Sequence, residues 1–245
     1  MPTPKSVFIT GASSGLGRGL ALHFAKAGAR VFAAARRKDE LEKLARESEN
    51  IVPVPLDVQD TGALVNAIHA AGDLDMVIAN AGVGAPTSAR KIDWTVVKKI
   101  IDVNAGAACV TVAAALPRMV ARDQGHVVAV SSLAAFRGMP GNGAYCASKA
   151  ALHTFMESIR VDLRRTRVKA TTIYPGFVKT ELTAKNKFRM PFLMELDDAV
   201  KVMTRGLARG ARTIAFPLPM AAVTRTLGAL PSAVYEPLAG RVRMF

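Results

Sequence analysis

The strongest constraint on what this chain can fold into is an alternation. Short, wholly apolar runs of strand length recur between longer amphipathic stretches, and a glycine-rich turn follows the first run. The runs predict strands at Ser6–Thr10, Arg30–Ala35, Ile51–Leu56, Met76–Ala79, Gly125–Ser131 and Val168–Ile173, with a further strand at Thr213–Phe216. Helices are predicted to begin near Leu16, Lys38, Thr61, Asp93 and Ala144. Strands that are apolar on both faces must be covered on both faces, so β and α segments in alternation predict a parallel sheet between two helical layers. The expected fold is therefore α/β and doubly wound, with three layers. No Pro/Gly/Ser-rich linker divides residues 1–245, which predicts a single domain.

In such a sheet, ligands sit beyond the carboxyl ends of the strands. The residues of interest do follow the predicted strands: Gly11 to Gly17 after the first, Arg36 after the second, Asp57 after the third, Asn80 after the fourth, Ser132 after the fifth and Pro175 after the sixth. The stretch TGASSGLG at Thr10–Gly17 runs from strand into helix, the context of a dinucleotide-binding turn. Its glycines permit a tight turn and close approach of an anion to the opening N–H groups of the helix. An acidic residue at the end of the second strand would read the 2′-hydroxyl of NAD. This chain instead has Ala35-Arg36-Arg37, whose guanidinium groups suit a 2′-phosphate. The expected cofactor is NADP(H) in preference to NAD(H), with Arg36 as its reader and Arg37 as a solvated first-turn residue.

Tyr145 and Lys149, four residues apart, fall on one face of the fifth predicted helix. A phenol is a weak acid with a reference pKa of about 10, and a fixed ammonium nearby favours its phenolate, so the pair reads as a tuned general acid. A nucleophilic serine is disfavoured, because no G-x-S-x-G elbow is present and His23, His69, His126 and His153 lie outside any triad context. Cys109 and Cys146 have neither disulfide nor metal-ligand spacing, and no metal is expected. The longest uncharged apolar run, Val103–Pro117, falls short of the ~20 residues of a membrane span. The start of the chain lacks a signal-peptide core, and a cytoplasmic location is expected. The net charge of +14 includes the basic stretches Arg164–Arg167 and Lys185–Arg189, but no nucleic-acid module accompanies it, and no nucleic-acid partner is expected.

TGASSGLG, NAG at Asn80–Gly82, Asn104, Ser131-Ser132, YCASK at Tyr145–Lys149 and Pro175-Gly176 together resemble the short-chain dehydrogenases/reductases, over roughly Lys5–Thr183. The resemblance implies a Rossmann-type fold and a tetrad of Asn104, Ser132, Tyr145 and Lys149. In that tetrad Tyr145 delivers a proton and Ser132 holds the reacting oxygen. Lys149 binds the nicotinamide ribose, and Asn104 holds a water linking the lysine to solvent. Ser131, one residue out of the family's register, should point to the opposite face. With the loop and arginines above, the implied cofactor contacts are Gly11, Ser13, Ser14, Gly15, Leu16, Gly17, Arg36, Arg37, Asp57, Val58, Asn80, Ala81, Gly82, Tyr145, Lys149, Pro175, Gly176, Val178 and Thr180. For Asp57 an N-cap role is an equally good local reading, and Asn80–Gly82 either packs on the cofactor or supports the sheet.

The expected activity is NADPH-dependent interconversion of a carbonyl and its alcohol, on a small-molecule ketone or aldehyde. The alternative is an NADP(H)-binding regulatory or scaffold protein with little chemistry. A substrate loop or lid is expected over about 181–200, containing Phe188, Met190, Pro191, Phe192, Leu193 and Met194, with Leu133, Phe136 and Met139 before the tyrosine. These residues favour an apolar substrate. A fatty-acid type β-ketoacyl reductase fits the basic surface but not the carboxyl end, where residues 217–245 form a divergent tail of prolines, apolar residues and arginines. The tail suits packing on its own domain, on another subunit of a homo-oligomer (dimer or tetramer), or in weak peripheral contact with an anionic membrane.

Overall fold

The computed structural model describes residues 3–184 and 190–241, and the basic segment Lys185–Arg189, with Phe188, lies outside the described residues. The strands β1 (Ser6–Thr10), β2 (Arg30–Ala35), β3 (Ile51–Pro55), β4 (Met76–Ala79), β5 (His126–Val130), β6 (Lys169–Pro175) and β7 (Thr213–Phe216) form one sheet. Their order is β3-β2-β1-β4-β5-β6-β7, and every pairing is parallel. The helices are α1 (Gly15–Lys26), α2 (Lys38–Arg46), α3 (Thr61–Ala70), α4 (Trp94–Ile101), α5 (Ala108–Ala121), α6 (Gly143–Asp162), α7 (Glu181–Ala184), α8 (Leu196–Ala208), α9 (Leu218–Ala229) and α10 (Ser232–Gly240).

Side-chain alternation divides the core. Val7, Ile9 and Val31 face Leu20, Leu41, Leu44, Met203 and Leu207 on the α1, α2 and α8 side. Phe8, Val77 and Val127 face Leu64, Val112, Met119, Leu152 and Met156 on the α3, α5 and α6 side. Chain order reverses between β1 and β4, which opens the crevice at the carboxyl end of β1 where a dinucleotide fold takes its ligand.

Several bounds differ from expectation. β6 continues through Pro175, because it pairs with β7 up to Pro175↔Phe216. β3 carries Pro53 and Pro55 and ends the sheet, the position where a strand tolerates residues without an N–H. The apolar run Val103–Pro117 is part of a longer helix. α4, a π-helical turn at Asp102–Ala107 and α5 are continuous over Trp94–Ala121, with Pro117 inside. By length and composition this helix could cross a membrane, yet half of its most apolar window is buried within the protein, where it packs on α3, α6 and β4. At the expected 181–200 loop, Glu181–Ala184 and Leu196–Val200 are helical, the latter opening α8 with Ala199 and Val200 in the core.

The tail also has regular structure. α9 packs on β7 and on the short turn Leu133–Ala135, burying Ala221 beside Leu133 and Tyr174. Arg137 donates to the Gly228 carbonyl at 3.5 Å and to Ser232 Oγ at 3.3 Å, and its guanidinium lies 4.3 Å from the centre of the Tyr235 ring. Among the alternatives for the tail, packing on its own domain is what the structure contains. Leu218, Val223, Val234 and Leu238 remain exposed on its outer side.

Candidate active site

The glycine turn lies between β1 and α1, and its conformation depends on β4. Gly11 has φ +68°, and a Cβ there would come within 2.8 Å of Ala81 Cα. A Cβ on Gly17 would meet the Gly11 carbonyl oxygen at 2.3 Å and Asn80 Nδ2 at 2.5 Å. Asn80 holds the turn from the other side: its Nδ2 donates to the Thr10 carbonyl at 2.9 Å and to that of Gly11 at 3.3 Å. Thr10 Oγ1 accepts from the N–H groups of Asn80 and Ala81 at 3.0 and 3.1 Å. Of the two readings left open for Asn80 and Ala81, these bonds supply the supporting one. Ser14 caps α1 without a side-chain hydrogen bond, and no acidic residue occupies the first turn. The opening N–H groups and positive end of the helix are thus suited to a pyrophosphate. A dinucleotide fits this cradle, and Thr180 lies opposite it, with Cγ2 3.2 Å from where a Gly15 Cβ would stand.

The two arginines after β2 turn to different partners. Arg36 makes a long, exposed ion pair with Asp57 at 3.8 Å. Arg37, expected to be a solvated first-turn residue, caps α2 and turns back to the glycine turn. Its Nε and a terminal nitrogen donate to Ser13 Oγ at 3.3 and 3.2 Å, and its other terminal nitrogen meets Glu181 Oε2 at 3.0 Å. Asp57 accepts from the Gln59 N–H, whereas the N-cap of α3 is Asp60, which accepts from Ala63 at 2.9 Å. The N-cap alternative for Asp57 is corrected: the helix begins three residues later. Val58 is buried beside it.

The four tetrad candidates come together where β4, β5, the π-turn and α6 meet. Asn104 is wholly buried; its Oδ1 accepts from the Val83 N–H at 2.8 Å, and its Nδ2 donates to the Val83 carbonyl at 2.9 Å and to Ser148 Oγ at 3.1 Å. It sits in the π-helical turn, a local widening common at functional sites. Gly82 separates Asn104 from Lys149, since a Cβ there would lie 3.4 Å from Asn104 Oδ1 and 3.7 Å from Lys149 Nζ. Ser131 turns away from the site and donates to the Lys149 carbonyl at 2.9 Å, while Ser132 faces Tyr145. The strand alternation thus distinguishes the two serines as expected. Ser132 Oγ also accepts from the Ala134 N–H at 3.1 Å and is 3.4 Å from the Pro175 carbonyl, which fixes the loop after β5 against β6.

Burial sets the electrostatics. Lys149 is 3 % exposed, and desolvation pushes its pKa down to about 8. Its Nζ donates to the Val130 carbonyl at 2.8 Å and stands 5.8 Å from the centre of the Tyr145 ring. Desolvation holds the Tyr145 phenol above its ordinary value, against a smaller lowering by the Ser132 hydroxyl. Burial thus sets the direction for the phenol in this structure, opposite to the lowering expected from Lys149, and Tyr145 is protonated at neutral pH. Cys146, next in sequence, is buried on another side of α6 and accepts from the Met139 N–H. Gly176 packs under the tail, where a Cβ would be 3.0 Å from Met220 Sδ. Val178 is buried and bridges Met194. A Cβ on Gly84 would lie 3.5 Å from Leu182 Cδ1 and 3.9 Å from Tyr145 Cδ2, while Phe192 and Leu193 are exposed on the loop before α8. Sequence reasoning missed Glu181 and Ser148; a capped carboxylate pattern or an i, i+3 partner to Tyr145 carries no recognisable signal by itself.

Residues 5–190 match the family described as short chain dehydrogenase. A relative from Myxococcus xanthus, an uncharacterized oxidoreductase, is 52% identical over 98% of this chain and 98% of its own. A dehydrogenase/reductase SDR family protein 7-like from Anopheles gambiae is 36% identical over 73% of this chain and 61% of its own. Among solved structures, a short chain dehydrogenase from Burkholderia cenocepacia in complex with NADP superposes with TM-score 0.84 at 26% identity, covering 95% of this chain and 96% of its own. A short chain dehydrogenase/reductase from Burkholderia phymatum in complex with NAD has the same TM-score at 21% identity, covering 98% and 96%. The chain belongs to the short-chain dehydrogenase/reductase family. It is an oxidoreductase of that family, with the Rossmann-type fold in a single domain.

Proposed function

We propose that the protein is an NADPH-dependent reductase of an apolar ketone or aldehyde or, in the reverse direction, an alcohol dehydrogenase. The observation that carries this reading is the Ser132 hydroxyl set against the Tyr145 phenol, with the buried Lys149 ammonium behind them. A bound nicotinamide dinucleotide would supply or accept the hydride. Gly11–Gly17 and the start of α1 would hold its pyrophosphate, Arg37 and Arg36 a 2′-phosphate, and Lys149 the nicotinamide ribose.

The chain's own residues supply the rest of the chemistry. As negative charge grows on a carbonyl oxygen, Ser132 donates a hydrogen bond to it and Tyr145 transfers its proton. Burial keeps Tyr145 protonated until that moment. Lys149 stabilises the resulting phenolate, and reprotonation is proposed to pass by Asn104, which shares the Gly82 neighbourhood with Lys149. Leu182, beside Gly84, favours an apolar substrate, whereas Leu133 and Phe136 pack with Tyr174 and the tail. The preference for NADP(H) rests on the two arginines and the missing acid at the end of β2; similar structures were solved with NADP, with NADPH and with NAD. The same reading includes a cytoplasmic homo-oligomer, with exposed Trp94 and Ile92 as apolar contact surface.

The test uses NADPH deuterated at the transferable position of nicotinamide carbon 4 with a panel of apolar ketones and aldehydes. The expected product is an alcohol carrying the deuterium on the former carbonyl carbon. Tight binding of NADPH with no alcohol formed across the panel would favour the regulatory alternative.

A further inference from the structure

We propose that Glu181 is a specificity-determining residue that competes with a cofactor 2′-phosphate for the Arg37 guanidinium, and so restrains the preference for NADP(H). The inference rests on the proposed reading of the dinucleotide groove and concerns a residue outside the tetrad and the glycine turn. Arg37 is the side chain that joins the end of β2 to the glycine turn, through two hydrogen bonds to Ser13 Oγ at 3.3 and 3.2 Å. That corner is where an α/β dinucleotide site reads the adenosine ribose. The remaining face of the guanidinium is taken by Glu181 Oε2 at 3.0 Å, a carboxylate delivered from the far side of the groove by the segment after β6.

The position next to Glu181 supports a groove-spanning contact. Thr180 rests over Gly15, its Cγ2 3.2 Å from where a Cβ would be, so the start of α7 approaches the glycine turn itself. A guanidinium has five N–H donors in a fixed fork. With three engaged by Ser13 and Glu181, a phosphate seeking bidentate contact must displace the carboxylate or accept it as a neighbour of like charge. A free 2′-hydroxyl meets no such repulsion, and a nearby carboxylate can accept its hydrogen bond. Both effects act in the same direction, against the phosphorylated cofactor and toward the unphosphorylated one. Arg36, paired with Asp57 at 3.8 Å, is the second cation within this corner and is similarly engaged with an acid.

The side chains of Arg37 and Glu181 are 44% and 64% exposed, so solvent screens the pair and the effect is moderate. Removing one screened negative charge beside a phosphate changes affinity by about three- to tenfold. The same exposure makes Glu181→Gln a variant that folds.

The experiment measures binding of 2′,5′-ADP and of 5′-ADP to the full-length wild type, Glu181→Gln, Arg37→Gln and the double variant, by calorimetry at low salt. Glu181→Gln is expected to bind 2′,5′-ADP about three- to tenfold more tightly than wild type and to leave 5′-ADP unchanged or weaker. The gain should vanish in the Arg37→Gln background and shrink in about 1 M salt. A Glu181→Gln protein that binds 2′,5′-ADP no more tightly than wild type, while wild type still prefers it over 5′-ADP, would overturn the role of Glu181 alone. If wild type and all variants bind the two nucleotides alike, both the NADP(H) preference and the competition are refuted.

Discussion

Replacing Lys149 by Met is expected to make the protein more stable while removing its activity. The folded protein holds this ammonium 3 % exposed, and burial lowers its pKa from 10.5 to about 8. The unfolded chain therefore keeps its proton up to a higher pH than the folded protein does. Between those values the unfolded state binds more protons, so stability rises with pH through that window. Below about pH 8 both states are charged, and the full cost of burying the charge is present. At about 1.36 kcal/mol per unit the cost is about 3 kcal/mol. Methionine is of similar length and carries no charge, but it gives up the bond from Nζ to the Val130 carbonyl, worth about 1 kcal/mol. The net gain is about 2 kcal/mol near pH 7, which for a domain of this size raises Tm by about 4–8 °C. Urea unfolding of wild type and Lys149→Met at about pH 7 and about pH 10 measures it. The variant should lead by about 2 kcal/mol at the lower pH and lose that lead at the higher. A variant less stable than wild type near pH 7, or an advantage independent of pH, would refute the assignment of a costly buried charge.

Two further outcomes follow from the same structure. Gly82→Ala places a methyl 3.4 Å from Asn104 Oδ1 and 3.7 Å from Lys149 Nζ, ordinary contact distances, so Tm should change little. The methyl stands in the proposed reprotonation route, and kcat in carbonyl reduction at saturating NADPH should fall about tenfold or more; an unchanged kcat would remove that route from the mechanism. His126 is buried with Nδ1 unpartnered, Nε2 2.7 Å from Thr171 Oγ1 and its pKa lowered to about 4, first by desolvation and then by Lys169. Its neutral form is the folded one, so its contribution is intact above 6.5 and is lost as pH falls toward about 4, by about 3 kcal/mol in all. Comparison of urea midpoints across this range should show a shallower acid decline for His126→Gln than for wild type, and equal declines would exclude His126 as a source of acid lability.

Periodicity carried most of the fold. The bounds of β1, β2, β4 and β7 coincide with runs whose side chains are apolar on both faces, because a parallel sheet covered twice demands that composition. α5 was not legible, since its continuous apolar run has no polar stripe to mark a helix and contains Pro117, which usually interrupts one. The helices of the tail were hidden similarly by prolines that fall at α9's start and inside α10. At the site, the glycine turn and the Tyr145, Lys149, Ser132 and Asn104 set could be picked out as motifs. Their electrostatics could not, because desolvation depends on what surrounds a residue in space, and burial reversed the expected direction for Tyr145. Arg37 and Glu181 lie 144 residues apart, and only the crossing of the groove by the segment after β6 joins them. A choice between Asp57 and Asp60 as helix cap was equally beyond reach, since both precede the same helix and differ only in which N–H they meet.

In the proposed function Tyr145 delivers the proton in a hydride-transfer reaction. The most direct test is Tyr145→Phe, which keeps the ring and removes only the hydroxyl, compared with wild type for NADPH binding and for alcohol formation from an active carbonyl substrate. Near-equal NADPH affinity and a fall in kcat of about 100-fold or more are expected. Turnover by Tyr145→Phe at the wild-type rate would contradict Tyr145 as the proton donor.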